Sequence, residues 1–232
     1  MKQKVLALSL VLVMALALCA CGEEKAPGTA MGTPEGALSG GTWTEREETM
    51  SELEGYGTDD TKGPIPEDWK LPEDFTVGEN TRVEVNGDKI LYGDYADGWL
   101  TNGFTVATYA DGTLTTIYEF KDGVARSWQR FFSPDGSKLA ILWKSDAEAT
   151  DWNLTLVDLA TGEASGVELP DVSIKTTVTE EEGAEPKEVS EAPYVILCKW
   201  QDDSNLILTA TPKDISADGD LVSWVYTLPE GK

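Results

Sequence analysis

Carboxylates and indoles dominate the side chains able to do chemistry in this 232-residue chain: 42 Asp and Glu and eight Trp stand beside 18 Lys and Arg, with no histidine. Without imidazole there is no Ser-His-Asp or Cys-His arrangement, no His-containing zinc site and no ordinary proton shuttle near neutral pH. Catalysis would fall to paired carboxylates, Lys, Tyr or a hard cation. Asp214, Asp218 and Asp220 in "DISADGD" offer oxygens, as do Asp146, Glu148 and Asp151. The EF-hand spacing is absent, and Asp-rich loops between strands explain both sets more simply than a calcium site. Spacing along the chain selects no two acids as a glycosidase pair. The sequence therefore assigns no catalytic residue, no metal ligand and no cofactor.

Recognition is better served than catalysis. Trp143, Trp200 and Trp224 fall in or beside apolar strand patterns and read as packing residues, whereas Trp99 in "DYADGWLTNG" and Trp152 in "SDAEATDWN" occupy turn-rich stretches. These two are the candidates for an exposed ligand surface. Arg126 and Arg130 in "VARSWQRFF" form a basic island in an acidic chain and are expected to pair with carboxylates of neighbouring strands. Cys198, within "YVILCKW", reads as a small buried hydrophobe rather than a reactive thiol.

The formal net charge is −24. Such a balance disfavours nucleic-acid backbones, anionic lipid surfaces and acidic substrates. Cationic peptides, basic proteins or divalent metals are more compatible neighbours, although an acidic, well-solvated face outside the cell accounts for the charge by itself.

The amino terminus reads as an address. Lys2 and Lys4 precede the apolar run Val5–Leu18, broken only by Ser9, which has the charged and apolar regions of an export signal. It falls short of the roughly 20 apolar residues that span a bilayer. Leu18-Cys19-Ala20-Cys21 then resembles the lipobox of bacterial lipoproteins. The resemblance implies cleavage after Ala20 and a thioether-linked diacylglycerol on Cys21, which would anchor the chain on the extracytoplasmic face of the cell membrane. Cys19 fits less well as the modified residue, because bulky Leu18 would then precede it. The alternative is ordinary secretion with Cys21 left as a thiol. Removal of residues 1–20 leaves 16 basic against 42 acidic side chains, a charge of −26.

Residues 21–64 are rich in Gly, Glu, Thr, Ala and Pro and sustain neither helical nor strand periodicity. They are expected to form an acidic, disordered tether. Its truncation should alter reach rather than stability. Within it, Thr44 and Glu47 could cap a short helix over 45–53, and Trp43 reads as exposed.

Residues 65–232 are expected to form an all-β domain, with Ile65, Trp69 and Leu71 packing along its edge. Apolar runs such as "KLAILW", "LTLVDL" and "NLILTA" are punctuated by Asn-Gly or Asp-Gly pairs at 86, 97, 102, 111, 122, 135 and 218, the turn chemistry of tight hairpins. Three segments repeat one pattern, at 86–112, 133–163 and 200–232, in which a turn, an apolar strand, a loop and a second strand end in a Gly-containing turn. The middle unit, with Ser133-Pro134-Asp135-Gly136 opening it and Asp158-Leu159-Ala160-Thr161-Gly162 closing it, resembles the repeats of TolB-like β-propellers. That resemblance implies blade-like antiparallel sheets, in a propeller-like or partial-propeller arrangement after the tether, and little about function.

The leading expectation is thus a membrane-anchored extracytoplasmic binding or interaction protein without catalysis. Its partners would be the bilayer, through acylated Cys21, and an envelope protein, peptide or glycan, with no nucleic acid. A carboxylate-dependent extracellular hydrolase and a structural or assembly protein of the cell envelope are the alternatives.

Overall fold

The computed structural model describes residues 38–46, 64–96, 100–121, 123–126, 129–178, 185, 187–211 and 221–231. The export signal, Cys21, Trp99 and the acids Asp214, Asp218 and Asp220 lie outside the described residues. Sixteen strands, and no helix, are found among the described residues. In chain order they are β1 (Thr42–Arg46), β2 (Thr81–Asn86), β3 (Lys89–Asp94), β4 (Leu100–Thr101), β5 (Phe104–Ala110), β6 (Thr113–Phe120), β7 (Ala125–Arg126) and β8 (Arg130–Phe132). They continue with β9 (Lys138–Trp143), β10 (Asn153–Asp158), β11 (Ala164–Val167), β12 (Ile174–Val178), β13 (Lys187–Glu191), β14 (Val195–Asp202), β15 (Asn205–Thr211) and β16 (Val222–Thr227).

Three four-stranded antiparallel sheets carry the three sequence repeats: β2-β3-β5-β6, β8-β9-β10-β11, and β14-β15-β16 with β1 added beyond β16. Two smaller sheets pair β4 with β7 and β12 with β13. The all-β expectation holds, as multiple antiparallel sheets.

The repeated turns explain where the strands begin. Asp111 (φ 49°) and Gly112 (φ 84°) form the two-residue loop between β5 and β6, the pair of positive φ angles a type I′ turn demands and Asp-Gly supplies. At Ser133–Gly136 the Gly136 N–H donates to Ser133 O at 2.8 Å, and the Asp135 carboxylate accepts from Ser133 Oγ at 2.6 Å and Ser137 N at 2.9 Å. A side chain at Gly136 (φ 68°) would meet Asn86 Oδ1, while Asp135 N donates to Asp203 Oδ1 at 2.8 Å. The equivalent turns of all three repeats therefore converge.

The middle sheet is buried on both faces. Along β9, Leu139, Ile141 and Trp143 join the core shared with β3, β5 and β6, whereas Ala140 and Leu142 join the core shared with β14, β15 and β16. This two-sided burial is why "KLAILW" reads as a continuous apolar run rather than an alternating one. On the far side of the first sheet, Ile65, Trp69 and Leu71 pack over Val85, Ile90 and Ala107, as expected for the edge, and Phe75 joins them. Trp69 stacks on Tyr109 with ring centroids 4.0 Å apart.

The amino-terminal segment departs from expectation. Thr42–Arg46, read as tether, forms β1 and pairs in register with β16 from Thr42↔Thr227 to Arg46↔Ser223. Glu45 and Arg46 are accordingly strand residues, not the start of a helix over 45–53. Trp43 is no exposed aromatic: it packs on the core, lies 4.8 Å from the Tyr226 ring and donates its indole N–H to Glu168 O at 2.8 Å. Leu38 N donates to Gly166 O at 2.7 Å, so residues 38–46 staple the second sheet to the third. The physical reason is tertiary: an open sheet edge presents unpaired N–H and C=O groups, and pairing with them outweighs weak local propensity.

Candidate binding cleft

Trp152 leads to a cleft at one end of the middle sheet. Leu100, Val124, Arg126, Gln129, Lys144, Asp146, Ala147 and Trp152 line a space of about 40 Å³. Backbone pairing sets its lining. Leu100 of β4 lies opposite Arg126 of β7. Lys144, one residue beyond β9, exchanges backbone hydrogen bonds with Val124 at 2.8 and 3.0 Å. Gln129 is held by its N–H to Arg126 O at 3.0 Å and by Leu142 N to its own carbonyl at 2.9 Å.

Two residues of this lining carry a buried donor without a partner. Gln129 is 2 % exposed, and its Oε1 accepts from Arg126 N at 3.1 Å. That bond fixes the amide orientation, since a backbone N–H needs the oxygen, and leaves Gln129 Nε2 buried without a partner. Trp152 packs its ring on the core of the second and third sheets, yet its indole Nε1 is also buried and unpartnered. Other indoles are satisfied: Trp143 donates to Thr155 Oγ1 at 3.0 Å and Trp200 to Phe131 O at 2.9 Å. Each buried donor left unpaired costs about 1–3 kcal/mol. Both belong to residues that line the cleft.

Both signs of charge surround the cleft, with Arg126 and Lys144 facing Asp146, Glu148 and Asp151. The Lys144 ammonium sits 4.5 Å from the centre of the Trp152 ring and donates to Ala149 O at 2.8 Å. Burial first, then repulsion from Arg126, holds it below the usual lysine value, against the attraction of Asp151, Glu148 and Asp146. Two of these three loop acids also accept local hydrogen bonds. Asp151 accepts from Ser145 Oγ and Asn153 Nδ2, both at 3.0 Å, and Asp146 Oδ1 accepts from Glu148 N at 2.9 Å. Burial would raise the Asp151 carboxyl, but those hydrogen bonds outweigh it and keep it below the ordinary range.

The remaining sequence candidates serve the fold. Arg130 is wholly buried, bonds Glu84 Oε2 of the first sheet at 2.9 Å and lies 5.0 Å from the centres of both the Tyr95 and Phe104 rings. Its expected pairing with a strand carboxylate is therefore seen. Burial drives the neighbouring Tyr95 hydroxyl up to about 12. Cys198 is free and 1 % exposed, its thiol raised by burial, as expected of a core residue. Trp143, Trp200 and Trp224 pack in or against the cores. Among the described residues no group of three or more Cys, Asp or Glu could hold a metal ion, and no helix is long and apolar enough to cross a membrane.

Of the two aromatic candidates, then, Trp152 lies at a cleft and Trp99 lies outside the described residues. Sequence reasoning missed Gln129 and Lys144. Lys144 follows directly on "KLAILW", and a basic residue ending an apolar strand was the available signal. Gln129 had none, because its role depends on which backbone N–H claims its oxygen. Comparison of the chain with protein-family models, with curated proteins and with solved structures found no match.

Proposed function

We propose that this chain is a lipid-anchored, extracytoplasmic binding protein without catalysis, in which blade-like sheets of the propeller type present the Trp152 cleft to a ligand. The observation that carries the binding role is the pair of buried, unpartnered donors, Trp152 Nε1 and Gln129 Nε2, in one cleft. The anchoring role rests on the lipobox-like Leu18-Cys19-Ala20-Cys21 after an export-type apolar run. The propeller relationship rests on the Ser133–Gly136 turn, the three repeated four-stranded sheets and the addition of β1 to the last of them.

Two features favour binding over the alternatives. Local hydrogen bonds, against the effect of burial, hold the carboxyl groups of Asp135, Asp151, Asp171 and Asp202 below the ordinary value, so these four acids serve their own turns as anions. The large hydrophobic residues exposed among the described residues are Val77 and Tyr194, on different sheets' margins rather than on a broad apolar edge suited to assembly.

A thermal-shift screen of the full chain against ligands grouped by functional group tests the binding role. A ligand at a hundred times its Kd should raise Tm by roughly 5–10 °C, and Trp152→Phe, which keeps one aromatic ring but deletes the N–H, should abolish most of that rise. No shift from any acceptor-bearing ligand would overturn the reading. For the anchor, Cys21→Ser should move the protein from the membrane fraction to the soluble fraction; unchanged partitioning would count against lipidation.

A further inference from the structure

The first sheet carries a second surface, and it stands apart from the Trp152 cleft. We infer that the groove along Tyr92 takes a basic peptide segment of a partner protein, with a cationic side chain on either side of that ring. Two hollows of about 440 and 570 Å³ lie side by side there, since Tyr92 and Thr76 line both. Asp94 stands in the lining of the first and Asp74 in that of the second.

The segment before β2 builds one wall. Its Phe75 ring meets Tyr92 edge-on, with centroids 5.0 Å apart, and leaves Tyr92 half-buried. The Phe75 N–H donates to Pro72 O at 3.0 Å. Gly78 N then donates to Thr81 Oγ1 at 2.9 Å, and Thr81 N to Gly78 O at 3.2 Å. These bonds hold residues 76–78 as a rim, on which Val77 is 55 % exposed and offers a partner apolar surface to cover.

Charge selects a cation. The charged residues in the two linings are Asp74, Asp94 and Lys121. Lys121 is already paired with Glu119 at 2.7 Å. Asp94 accepts from Thr81 Oγ1 at 2.5 Å, a bond to a neutral hydroxyl that leaves its charge uncompensated. Burial raises the Tyr92 hydroxyl above its ordinary value, a hydrogen bond with Thr105 opposes that, and the charges of Glu119 and Asp74 raise it further. Three carboxylates and one ammonium thus surround an aromatic ring, a setting that favours a cation over the ring face. Hydroxyl-rich ligands find less here, because Thr81 and Thr105 already bond Asp94 and Tyr92. A metal ion alone is disfavoured, since no group of three or more acids among the described residues could hold one. The −24 charge of the chain steers basic partners towards it. In an extended segment, alternate side chains share a face about 7 Å apart, so two cations separated by one residue can flank Tyr92.

The test is an NMR titration of the 15N-labelled full chain at constant ionic strength with three tripeptides, capped at both ends as within a longer chain: arginine-alanine-arginine, glutamine-alanine-glutamine and glutamate-alanine-glutamate. The expected result is a saturable shift of the Val77 and Tyr92 amide resonances with the arginine peptide alone. Asp74→Lys, at an exposed position, should weaken it roughly tenfold. Glu168→Lys, which changes the net charge equally at an exposed position after β11, should leave it unchanged. Equal losses in the two variants would reduce the binding to the general attraction of an acidic chain and overturn the groove. A matching response to the glutamine or glutamate peptide overturns the cation, and no saturable shift with any of the three overturns the inference. The Trp152 cleft is tested separately, by the thermal-shift screen with Trp152→Phe.

Discussion

Arg130 opens β8, and Lys144 follows β9, its neighbour in the middle sheet, yet their surroundings differ in kind. Arg130 is enclosed, and its partners come from another layer: Glu84 at 2.9 Å and the rings of Tyr95 and Phe104. Lys144 draws its partners from the loop that follows it, Ala149 O and the Trp152 ring, and it faces a second cation in Arg126. A charge tied across sheets is part of what holds the sheets together. A charge satisfied only by its own loop, beside donors with no partner, keeps its field available to something that is not part of the protein.

The largest effect should come from removing the cross-sheet charge. Arg130→Leu removes the bond from a wholly buried guanidinium to Glu84 and its two ring contacts and should lower unfolding stability by about 3 kcal/mol, whereas Lys144→Met should change it by less than about 1 kcal/mol. Urea denaturation of the two variants measures the difference, and equal losses would erase the distinction. A smaller effect separates the indoles. Trp143→Phe and Trp152→Phe both lose half of a core-packed indole, but only the first also loses a hydrogen bond, to Thr155, and it should cost about 1 kcal/mol more than the second. Destabilisation of equal size in both would mean that the Trp152 N–H has a partner in solution.

The smallest effect is in pH dependence. Between the lowered folded value of Lys144 and the ordinary 10.5, the unfolded chain holds the proton and the folded chain does not, so this group makes stability rise with pH across that interval. Lys144→Met should remove that rise. The difference between the two stability-versus-pH curves checks it, and identical curves would place Lys144 in ordinary solvent.

The parts that were legible in the sequence are those governed by local chemistry. Asp111-Gly112 and Ser133-Pro134-Asp135-Gly136 form turns because their backbone preferences leave few alternatives. "KLAILW" announces a doubly buried strand because every second residue feeds a different core. What was not legible depends on distant partners. "TWTER" becomes a strand because β16 has an open edge, and nothing in those five residues records that edge. Trp152 stands out in a turn-rich stretch, but the isolation of its N–H is a property of the packed loop, as is the orientation of Gln129 fixed by Arg126.

The most direct measurement is the thermal-shift screen of the full chain repeated on Trp152→Phe. The account predicts a ligand-dependent rise in Tm that the variant largely loses. A rise of the same size in the variant, or no rise with any ligand, would contradict it.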